Sequence, residues 1–200
     1  MLDHLLIDLI RSIQTSFERA LLQRQAVEER FQVDVFLGDV SWETSYSLPG
    51  EEQPPRVRAD ISIDWPTWSQ TAYRSWAIGE EPDELPEVLV EVAFRVQMLD
   101  KVPAVQPLLE VLPDHLDAIG GERLTRLAAT IEQLMTNGNE VTETAIEVSY
   151  EGSCQLEESI LEHPTSLDDA MAPLGREVAS VLVRMADLPF TFLTKETPPA

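Results

Sequence analysis

Lysine is almost absent from this chain: Lys101 and Lys195 are the only two among 200 residues. Arginine does not fill the gap everywhere, because residues Phe31–Pro55, Ser75–Phe94 and Leu127–Gly175 contain neither cation. The last of these runs holds ten acids, and the whole chain reaches a formal charge of −22. Surfaces that grip nucleic-acid phosphates or anionic lipid are built from Lys and Arg clusters, so neither a direct nucleic-acid partner nor a membrane surface is expected. Cysteine is limited to Cys154, which excludes an intrachain disulfide and a thiolate metal cluster and fits a reducing interior. No apolar run approaches membrane-spanning length, and residues Met1–Ile10 carry acids where a secretory leader needs a basic start. A cytoplasmic protein is the expectation.

The chemistry-bearing patterns are also thin. His4, His115 and His163 are far apart in sequence, with no helical zinc spacing among them. The eight glycines form neither a phosphate-cradling loop nor a nucleophile elbow. Glu80, Glu81, Asp83 and Glu84 match a calcium loop in charge alone, since Pro82 interrupts them and the alternating ligand spacing is missing. Asp60 and Asp64 share one side of a strand with Arg56 and Arg58. That pattern reads either as an acid/base or metal pair or as a solvated face with cross-strand ion pairing. No cofactor is implied and no catalytic residue is assigned.

Ample apolar material remains. With 44% hydrophobic residues the chain can bury a core, and the acid is spread evenly between its halves rather than confined to a tail. One domain over residues 1–200 is expected, with a polar end at 194–200. Leu2, Leu6, Leu9, Ile13, Phe17 and Leu21 recur at three- and four-residue steps and predict one long amphipathic helix over residues 2–29. Phe31–Leu37 then leads in, Gly38-Asp39 bends, and Val40, Trp42, Thr44, Tyr46 and Leu48 alternate with polar residues. Val57, Ala59, Ile61, Ile63 and Trp65 do the same, which predicts an antiparallel hairpin. Val88, Val90, Val92, Phe94 and Val96 form a further strand, and Tyr73–Ile78 a short one.

Prolines 103, 107 and 113 break residues 102–118 into irregular turns. Leu124, Leu127, Ala128, Ile131 and Leu134 predict a helix closed by Gly138. Ile146, Val148 and Tyr150 predict a second hairpin turning at Glu151-Gly152 and returning through Cys154, Leu156 and Ile160, with a bulge or edge at Glu158. Ser166 and Asp169 resemble a capping box opening a final helix through Met185. The expected fold is α+β: long N-terminal helix, antiparallel sheet of three to four strands, helical segment, second β-hairpin, C-terminal helix. In element order and acidity, this reading resembles the class I type III secretion chaperones. They are small acidic αβββαββα proteins that usually dimerise.

That resemblance implies a chaperone or adaptor. The residues themselves favour a non-enzymatic protein-binding module whose partner is a protein, a basic one if charge selects it, and which can form a homodimer. An acidic inhibitor or immunity-type protein masking a basic nucleic-acid-binding surface is the alternative, and a carboxylate-based hydrolase a further one. The candidate partner-binding residues are Trp68, where the strand alternation has ended, and Glu143, Glu147, Glu151 and Glu157 in the cation-free region. A separate reading of the charge is adaptation to high salt, which would report habitat rather than partner.

Overall fold

In the computed structural model the described residues are 11, 15, 19, 27–36, 38–48, 54–136, 140–161 and 164–193. They form eight strands: β1 (Val27–Phe36), β2 (Asp39–Ser47), β3 (Val57–Trp65), β4 (Glu87–Leu99), β5 (His115–Asp117), β6 (Arg123–Arg126), β7 (Thr130–Thr136) and β8 (Glu140–Gln155). Four helices accompany them: α1 (Thr67–Ala77), α2 (Gln106–Val111), α3 (Glu158–Leu161) and α4 (Pro164–Ala186). All the strands join one antiparallel sheet in the order β1-β2-β3-β4-β8-β6-β5, and β7 shares the far edge of β8 with β6.

Period-two alternation sets this sheet. On β3 the even rhythm of Val57, Ala59, Ile61, Ile63 and Trp65 is buried while Arg58, Asp60, Ser62 and Asp64 stay partly wet. The register then carries one parity across the sheet: Ile61 lies opposite Val92, which lies opposite Tyr150. Val57, Ile61, Ile63, Val90, Val92 and Phe94, all expected inside, are each no more than 3% exposed. Each contributes about 1.5–3 kcal/mol of burial free energy. Helix α4 covers this face with Met171, Leu174, Val178, Val181, Leu182 and Met185, an apolar stripe at three- and four-residue steps that packs toward β3, β5 and α2.

The observed architecture corrects the expected one in several places. Among the described residues there is no long N-terminal helix: residues 27–29 belong to β1, and of the remainder of 2–29 only Arg11, Thr15 and Arg19, all helical, are described. The expected core positions Leu9, Ile13 and Phe17 therefore lie outside the described residues, as does the end at 194–200. Phe31–Leu37 is not a lead-in, because residues 31–36 are already paired with β2, and Gly38 stands in the turn ahead of that strand. Gly38 supplies the positive φ of 93° that such a turn requires.

Residues 73–77 are helical rather than extended. The helix starts after Pro66, and Asp39 accepts hydrogen bonds from the Thr67 backbone N–H and Oγ1 at 2.6 and 2.7 Å. These bonds hold the Asp39 carboxyl below its usual range. The expected helix over residues 124–134 is β6 and β7. Its three-and-four spacing is accidental, since Leu124 is buried while Leu127, Ile131 and Leu134 are 41–58% exposed, so no helical face is being buried.

The second hairpin is also absent, because β8 runs straight through Glu151-Gly152 as one strand of 16 residues. Glu158 opens α3 instead of forming a bulge. Helix α4 begins at Pro164, two residues ahead of the expected cap at Ser166.

Candidate interaction face

The side of the sheet opposite α4 is polar, and its residues follow from the same register. One row crosses the strands as Glu43, Ser62, Glu91, Glu151 and Thr125, and the next as Ser41, Asp64, Leu89 and Ser153. Further rows place Ser45, Asp60, Ala93 and Ser149 together, and then Arg58, Arg95 and Glu147. Over β2, β3, β4 and β8 the face thus presents Glu43, Asp60, Asp64, Glu91, Glu147 and Glu151 against two guanidinium groups. Both guanidiniums are occupied. Arg58 Nε donates to Asp60 at 2.8 Å, and Arg95 donates to Glu147 at 3.1 Å and to Glu132 at 2.5 Å. The Arg95 contact holds the Glu132 carboxyl below its ordinary range.

The sequence-derived candidates divide on this surface. Glu143, Glu147 and Glu151 do point to the same side of β8. Glu143, however, accepts the Met98 backbone N–H at 3.1 Å, where Met98 adopts φ 60° at the bulged end of β4. That carboxylate buttresses a backbone conformation that side-chain-bearing residues rarely hold. Glu147 is tied to Arg95, so of the three only Glu151 is exposed and has no ion pair among the described residues. Glu157 is exposed but lies beyond the end of β8, ahead of α3. Trp68 is at the start of α1, 46% exposed, whereas Trp42 and Trp65 are buried in the core. Tyr73 links Trp65 to Trp76 through ring contacts of 5.8 and 5.6 Å, an aromatic path from the core to the outside of α1.

Of the residues that gather around Glu151, only Asp64 was singled out from sequence, and there as a possible pair with Asp60. Leu89, Glu91, Asp64 and Leu127 border a hollow of 460 Å³. A second hollow of 310 Å³ extends over Glu43, Ser45, Arg58 and Asp60, and the two share Glu91. Leu89 could have been noticed, because it is a large apolar residue on the polar parity of β4. Leu127 could not, since it falls in the break between β6 and β7 that was read as helix.

Asp60 accepts Ser45 Oγ from β2 and pairs with Arg58 two residues away, so its ion pair runs along β3 and not across strands. Among the described residues no group of three or more His, Cys, Asp or Glu side chains is placed to hold a metal ion. Cys154 is fully buried opposite Val88, and burial pushes its thiol up to about 11. A thiol held protonated is a poor nucleophile. Accordingly, the native protein at neutral pH is expected to resist an aromatic disulfide reagent and to react stoichiometrically once unfolded in denaturant. Labelling of the native chain as fast as free cysteine would show Cys154 to be accessible.

No helix among the described residues is long and apolar enough to cross a membrane. An antiparallel α+β sheet with one helix-covered face and one acidic, open face is the class that fold and site define. No protein-family model, no curated protein and no solved structure matches the chain. The secretion-chaperone resemblance rested on element order and acidity; the described residues have a different order, and nothing in these comparisons bears on the resemblance itself.

Proposed function

We propose that this chain is a non-enzymatic protein-binding module of the cytoplasm, a chaperone or assembly adaptor, and that its open sheet face holds a basic partner protein. The observation that carries the reading is that Asp64, Glu91 and Glu151 gather on that face outside the ion pairs of Arg58 and Arg95. A single-sign surface of this kind steers an oppositely charged partner and repels further copies of its own charge. A purely salt-adapted surface would have no reason to gather Asp64, Glu91 and Glu151 around one hollow.

Affinity capture with the wild-type chain and with a triple variant, Asp64→Asn with Glu91→Gln and Glu151→Gln, tests the proposal. Basic proteins should be retained by the wild type at low salt, released as salt rises, and missing from the variant. All three side chains are at least partly solvent-exposed and outside the ion pairs described, so the variant is expected to keep its fold, which circular dichroism checks. Identical capture by both chains would dismiss the face as the binding surface.

A further inference from the structure

Two features of the hollow at Leu89 go beyond a generally acidic face. Leu89 and Leu127 are each 41% exposed and border it from β4 and from the β6–β7 break, which gives it apolar walls. Its charged border consists of Asp64, Glu91 and Glu151, and no Lys or Arg borders it. Glu91 and Glu151 are direct cross-strand partners. Like charges placed opposite each other in a sheet oppose the pairing they sit on. No cation among the described residues forms an ion pair with either carboxylate.

We infer that this groove takes lysine or arginine side chains from a segment of a partner protein, with the aliphatic stem lying along Leu89 and Leu127 and the cationic head between Glu91 and Glu151. The inference rests on the binding-face reading above and names its specificity. Long basic side chains bury their methylenes on apolar surface while keeping the charge at a polar rim, and this groove offers both in one place. Charge complementarity selects the cation. The apolar walls select a long stem, since each buried methylene adds to affinity. Extent selects a polypeptide over a small amine, because the hollow and its neighbour share Glu91 as a lining residue and their borders together reach from Leu127 to Glu43 across β8, β4, β3 and β2.

Fluorescence anisotropy with short labelled peptides separates these contributions. The probe is a blocked peptide of alternating lysine and serine. In one control 2,3-diaminopropionate replaces lysine, removing most of the stem; all peptides are compared in mildly acidic buffer, where its weakly basic amine stays protonated and the glutamates stay ionised. In the other, norleucine keeps the stem and removes the charge. The lysine peptide should bind, the diaminopropionate peptide about tenfold more weakly, and the norleucine peptide not measurably. Leu89→Ser or Leu127→Ser should abolish the preference for lysine over diaminopropionate while leaving the weaker affinity in place.

Equal affinity for the lysine and diaminopropionate peptides would overturn the groove while leaving the acidic face standing. No binding by either peptide would overturn the groove and the face together. Spermine that displaces the lysine peptide completely and shows the same Leu89 dependence would overturn the polypeptide occupant.

Discussion

Replacing Phe94 with alanine lowers the unfolding free energy by about 3–5 kcal/mol, the cost of an unfilled cavity under a large aromatic side chain. Phe94 is fully buried on the central strand β4, between β3 and β8, and its ring meets Tyr150 edge-on at 5.8 Å. The Tyr150 hydroxyl donates to the Pro113 carbonyl at 2.7 Å, so the ring has little freedom to collapse into the space. A typical domain has about 5–15 kcal/mol in total, so this one substitution removes a large share. Leu89→Ser, on the same strand but the opposite face, is the matched control and should change stability by roughly 0.5 kcal/mol or less. Equilibrium urea unfolding of the two variants reads the difference directly, and coincident midpoints would show that Phe94 is not core.

Gly152→Val is the second large effect. A Cβ at this position would stand 3.0 Å from Leu124 Cδ2 and 3.1 Å from the Arg123 carbonyl oxygen. The leucine methyl can turn aside, but the carbonyl is backbone, so strand β6 must move away from β8. Overpacking of this kind costs about 1–3 kcal/mol. The displacement has a second readout, because Leu127 follows β6 directly and its N–H is bonded to the Ser149 carbonyl at 2.8 Å. A shifted β6 should therefore weaken that amide's protection from hydrogen exchange as well as lower the unfolding midpoint. Wild-type exchange at Leu127 together with wild-type stability would mean that β8 and β6 are not in close contact at Gly152.

The strands that sequence made visible are those with one wet and one dry face. On β2, β3 and β4, burial of one parity forces apolar and polar residues to alternate, and the alternation could be read from Val40 to Trp65 and from Val88 to Val96. Strand β7 defeats the same reading. It lies at an edge, with Ile131, Leu134 and Met135 all more than 40% exposed, so no single face imposes a period on its residues. Its Ile131 and Leu134 happened to continue the helical steps of Leu124 and Leu127. Helix α4 was visible because its stripe meets the sheet, whereas α1 was not, because its inward positions are Ser69 and Gln70 rather than apolar residues. Those two are held by polar contacts: Trp65 Nε1 donates to Ser69 Oγ, and Gln70 Nε2 donates to the Gly38 and Trp65 carbonyls.

The candidate face was partly visible for the same reason. The parity of Glu143, Glu147 and Glu151 follows from β8 alone. Which of them is engaged follows from Arg95 and Met98, which reach them only through long-range pairing of β4 with β8. The groove itself draws on four strand segments and could not be assembled from any one of them.

The position of β8 between β4 and β6 has a consequence for how the chain matures. Strands β1 to β4 can zip up in order as they leave the ribosome, each beside its predecessor. The inner edge of β4 then has nothing to pair with until residues 140–155 arrive. Through that interval a strand bearing Val88, Val90, Val92, Phe94 and Val96 presents an open row of backbone donors and acceptors, the kind of edge that recruits a neighbouring chain. Closure joins strands far apart in sequence and is entropically costly, so it is expected to be the slow step of assembly. The surplus negative charge, carried evenly by both halves of the chain, keeps nascent copies apart while that edge waits.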